Sequence, residues 1–87
     1  MHSVDLLEEA LKLAQEVGFD VRREWLGEAT GGACRVGDKW VLSADLSLTA
    51  EEQLQQVTAA LRNSHLLPAE LHVSRQLQSI LSGRRQA

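Results

Sequence analysis

The chain has 87 residues, of which 44% are apolar and 24% charged, and it carries a net charge of −3. A chain this short makes one small domain that buries roughly 60–65% of the surface its unfolded form exposes, which leaves little room for a deep enclosed pocket. The composition excludes wholesale disorder, no apolar run approaches the roughly 18 residues that cross a membrane, and the lone Cys34 cannot form an internal disulfide.

The first segment reads as a helix. Ser3 is a candidate cap, and Asp5, Glu8 and Glu9 sit near the positive end of the helix dipole. Leu6, Leu7, Ala10, Leu11, Ala14 and Val17 recur at three- and four-residue intervals and mark one face. Glu8 and Lys12 form an i,i+4 pair on the other. Gly18 stands where a left-handed stop is easiest for glycine. The period then changes. In Phe19–Leu26, Phe19, Val21 and Trp25 alternate with Asp20, Arg22 and Glu24, the pattern of a half-buried strand with Trp25 in the core.

A glycine-containing loop, GEATGG, leads to two further strands, ACRV and KWVLSAD. The Gly37-Asp38 pair between them signals a two-residue hairpin. It predicts the pairs Val36–Lys39, Arg35–Trp40, Cys34–Val41 and Ala33–Leu42. Thr49-Ala-Glu-Glu52 is a capping box that opens a second helix with Leu54, Val57 and Leu61 on its buried stripe, ending near Asn63. Pro68 suits the first turn of a third helix, whose apolar side holds Leu71, Leu77, Leu81, Val73 and Ile80 along with Ser74. Gly83 stops it. The expected class is α+β in the order α-β-β-β-α-α, a three-stranded antiparallel sheet packed with helices. Residues 1–87 form a single domain, with 82–87 a frayed tail.

The charge is unevenly spread. Residues 1–61 carry −6 and residues 62–87 carry +3. A basic C-terminal helix against its own acidic body accounts for this. Four scattered arginines do not make the clustered surface that nucleic acid requires, so no nucleic-acid partner is expected. Acids early in the chain, without a basic leader, do not read as a signal peptide. With the single cysteine, this leads us to expect a cytoplasmic protein.

Few residues offer chemistry. On a strand opposite Val41, Cys34 reads as a small buried hydrophobe, and no base or positive field stands beside it to favour a thiolate. Arg35 is adjacent but points to the opposite face. His2, His65 and His72 match no metal-ligand spacing, and no CxxC, HxxxH or HExxH occurs. No metal or cofactor is expected. Gly31 and Gly32 lead into a strand, whereas a phosphate loop leads into a helix N-terminus. Asp45 ends the third strand with no second acid nearby, which suits a turn-capping role. A small enzyme or ligand-binding protein using the Gly31–Cys34 loop with Asp45 is the alternative reading.

Residues 18–61 resemble a group of small uncharacterised bacterial proteins. The likeness rests on Leu26-Gly27, Gly31-Gly32, Cys34, Gly37, Lys39, Asp45 and Glu52-Gln53-Leu54. It implies the same architecture and assigns no activity. A hairpin running into a capped helix is also similar to the start of zincin-type peptidases. Their helix carries HExxH, whereas EEQLQQVTAALRN has neither histidine, so this would be a degenerate substructure without metal ligands.

The run WVLSA is apolar on both sides of the sheet, apart from Ser43. If the helices cover the face of Cys34, Val36 and Val41, then Trp40, Leu42 and Ala44 form an exposed patch. The function expected on this basis is a non-catalytic, self-associating interaction module. It would be a homodimer through Trp40, Leu42 and Ala44, with room for an unidentified protein partner. The opposing possibility sets the first helix on one face and the last two on the other.

Overall fold

The computed structural model describes residues 2–25, 32–64 and 66–82. Helix α1 spans Ser3–Val17, strand β1 Phe19–Glu24, β2 Gly32–Val36, β3 Lys39–Asp45, helix α2 Ala50–Asn63 and α3 Arg75–Leu81. The order is the expected α-β-β-β-α-α, and the class is α+β.

Local signals set most boundaries. Gly18 has φ 116°, and its N–H bonds the carbonyls of Ala14 and Gln15, which ends α1. At the other end His2, not Ser3, is the cap residue, and no side chain bonds there. Thr49 and Glu52 form the reciprocal capping box: Glu52 N–H donates to Thr49 Oγ1 at 3.1 Å and Thr49 N–H to Glu52 Oε1 at 3.0 Å. Gly37, with φ 63°, takes the positive-φ position of the hairpin turn. All four predicted β2–β3 pairs are present, extended by Gly32–Ser43.

The sheet is mixed rather than purely antiparallel. Its order is β1-β3-β2, with β1 parallel to β3 and β2 antiparallel to it. The most apolar strand therefore takes the centre. Val41, Leu42, Ala44 and Asp45 of β3 are buried, whereas β1, with four charged residues in six, lies at one edge.

All three helices contribute to one core that lies on one face of the sheet. Phe19, Leu42 and Ala44 meet Leu7, Ala10, Leu11 and Ala14 of α1, Leu54, Val57 and Leu61 of α2, and Leu77 and Leu81 of α3 in one buried cluster. Leu42, Leu61, Leu77 and Val57 are fully buried. Each such side chain contributes about 1.5–3 kcal/mol relative to exposure. The opposite face carries Asp20, Arg22, Glu24, Lys39, Val41, Ser43, Cys34 and Val36 by strand alternation. Among the described residues no helix covers it.

This arrangement corrects several expectations. Leu42 and Ala44 are 0% exposed, because α1 and α2 cover the face expected to be bare; only Trp40 reaches the rim, at 37%. Cys34 is exposed, because it stands on the uncovered face at an edge strand. Val41 is buried as expected, on the central strand yet outside the main core cluster. Trp25 is 75% exposed. Leu46 N–H closes on Glu24 O at 2.8 Å and ends the β1–β3 ladder, so Trp25 lies beyond the sheet that would have buried it.

The third helix also starts later than expected. Pro68 lies in an irregular stretch, and Ser74 caps α3 by accepting a bond from Leu77 N–H at 3.3 Å. Glu8, expected to pair with Lys12, pairs instead with Arg23 of β1 at 3.2 Å.

Candidate functional site

Strand β2 and the adjoining end of the sheet hold most of the residues singled out in the sequence. β2 is an edge strand, and Ala33, Cys34, Arg35 and Val36 are all exposed. Arg35 Nε donates to Gly37 O at 3.1 Å, which lays the guanidinium along the hairpin turn. Gly32 has φ 117°, a backbone conformation that glycine adopts without a Cβ penalty. Gly31, Leu26, Gly27, His65 and residues 83–87 lie outside the described residues.

Between β2 and α2 runs a groove of about 450 Å³. Ala33 and Trp40 form its sheet side, and Gln56, Ala59 and Asn63 its helix side. The groove exists because small residues face the sheet here: Ala59 and Ala60 leave space that a larger side chain would fill. Trp40 is held at the rim by an edge-to-face contact with Phe19, with ring centroids 6.4 Å apart. Gln56 Oε1 is buried and has no hydrogen-bond partner among the described residues. No sequence signal marked this groove, since its two walls are far apart along the chain. A second, open depression of about 690 Å³ lies along α3, bounded by Glu70, His72 and Arg75.

Asp45 is 3% exposed, and its Oδ1 accepts from Ser47 N–H at 2.9 Å and Ser47 Oγ at 2.7 Å. The carboxylate thereby organises the turn from β3 into α2. Asp45 and Cys34 share the open face, but Cys34 pairs with Val41, four residues before Asp45. That is about 13 Å of strand. The fold does not bring the two into one site.

Among the described residues no three His, Cys, Asp or Glu side chains gather where they could hold a metal ion. No helix among the described residues is long and apolar enough to cross a membrane. Compared with protein-family models, curated proteins and solved structures, the chain matches none.

Proposed function

We propose that the protein is a non-catalytic, self-associating interaction module, a cytoplasmic homodimer with capacity for a further protein partner. One observation carries this reading: an edge strand with four successive exposed residues borders a groove that holds a half-exposed tryptophan. Unpaired strand edges are templates for association, and apolar rims beside them add contact area. The Trp40 side of the sheet keeps its part in the reading through Trp40 alone; Leu42 and Ala44 support the fold instead. Sedimentation equilibrium at high micromolar concentration tests it. The expected mass is twice 9.6 kDa. A mass of 9.6 kDa across the whole concentration range overturns it.

A further inference from the structure

We propose that a second copy of this chain docks edge to edge, β2 against β2, about a two-fold axis at Cys34. This rests on self-association as proposed above and supplies its geometry.

The two edges of the sheet are unlike. β1 is guarded by Asp20, Arg22, Arg23 and Glu24. Charges of this kind are how edge strands avoid pairing with other chains. β2 reads Gly-Ala-Cys-Arg-Val, with no proline, an unbroken register against β3 and one charge. Among the described residues nothing pairs with its outer side.

The hairpin decides which backbone groups face outward. A two-residue turn closes on Val36 and Lys39, which makes them a hydrogen-bonded pair. Alternation places Cys34–Val41 and Gly32–Ser43 in the same class. Ala33 and Arg35 are then the residues whose N–H and C=O point away from β3.

Only one two-fold axis uses all of these groups. Centred at Cys34, it sets Ala33 opposite Arg35 of the second copy, and Arg35 opposite its Ala33. Each pair exchanges two backbone bonds. An axis at Arg35 would set two guanidinium groups opposite each other, which is unfavourable. An axis at Ala33 would carry Arg35 past the start of the other strand.

The side chains are complementary in the same register. Arg35 shares the helix-bearing face with Ala33 and Trp40. Opposite Ala33, the second copy's Arg35 can exchange its exposed bond to Gly37 O for the groove beside α2. That groove is bordered by the last turn of α2 at Asn63 and Ser64. A helix C-terminus favours a cation. On the open face the two Cys34 residues become a non-hydrogen-bonded cross-strand pair, with Cα atoms about 4.5 Å apart. That distance lies within disulfide range.

The test uses the full chain at high micromolar concentration, with copper-phenanthroline oxidation read on a non-reducing gel beside sedimentation equilibrium. The expected result is near-complete Cys34–Cys34 cross-linking that is lost on dilution to monomer. Ala33→Pro removes an outward N–H and no bond of the β2–β3 ladder. It should weaken dimerisation at least tenfold and abolish cross-linking, with the circular dichroism of the parent. Cys34→Lys, which sets two ammonium groups on the axis at an exposed position, should weaken dimerisation similarly if Ala33→Pro does not fold. A dimer that persists in the folded variants and leaves Cys34 uncross-linked in the parent overturns this geometry and leaves self-association standing. A monomer at every concentration overturns both.

Discussion

Glu9 of α1 grips Ser74, 65 residues later, with both carboxylate oxygens: Oε2 accepts from Ser74 N–H at 2.8 Å and Oε1 from Ser74 Oγ at 2.7 Å. Ser74 Oγ in turn accepts from Leu77 N–H, so an acid on the first helix orients the cap of the last. A seven-residue helix has little stability of its own. Its position depends on this clasp and on Leu77 and Leu81, both buried. Glu9→Ala should destabilise the protein by about 1.5–3 kcal/mol, the usual range for hydrogen bonds to a charged group. Urea denaturation of Glu9→Ala, Ser74→Ala and the double variant should give non-additive losses. Additive losses would show that the two residues act separately.

Burial separates residues that look alike in the sequence. Leu42 is 0% exposed and Trp25 is 75% exposed. Leu42→Ala should cost about 2–5 kcal/mol, because it removes a fully buried side chain from the core cluster and leaves a cavity. Trp25→Ala should change stability by less than about 0.5 kcal/mol, as a surface substitution does. Cys34→Ser belongs with Trp25, since its thiol is exposed. Chemical denaturation at low protein concentration checks all three. A large loss for Trp25→Ala would mean that the side chain packs against the fold.

Gly18 tests the backbone alone. Its φ is 116°, and a Cβ built there meets nothing within 4 Å. Gly18→Ala should therefore cost about 1–2 kcal/mol through conformational strain rather than a clash. Thermal melts compared with Gly18→Asn, whose side chain tolerates positive φ better, separate the two causes. Equal losses would point to a contact in place of strain.

Much of the local structure was readable in the residues themselves. Gly18, Thr49 with Glu52, and the Gly37-Asp38 turn each act within a few residues, and each sets its element where the pattern placed it. The hairpin register followed from the turn, because a two-residue loop leaves one alignment of its strands. Tertiary structure decided the rest. Alternation separates the two faces of Val41–Ala44, but with apolar residues on both it does not say which face the helices take. They took that of Leu42 and Ala44, which buried the expected interface and exposed Cys34. The parallel pairing of β1 with β3 joins segments separated by another strand, and no turn sequence announces it. Pro68, a favourable first-turn residue, does not open α3; the helix starts at the Ser74 cap, which bonds a carboxylate from the far end of the chain. Short-range signals act through the backbone of a few neighbouring residues. Face, strand order and edge exposure arise only when distant segments compete to bury the same apolar surface.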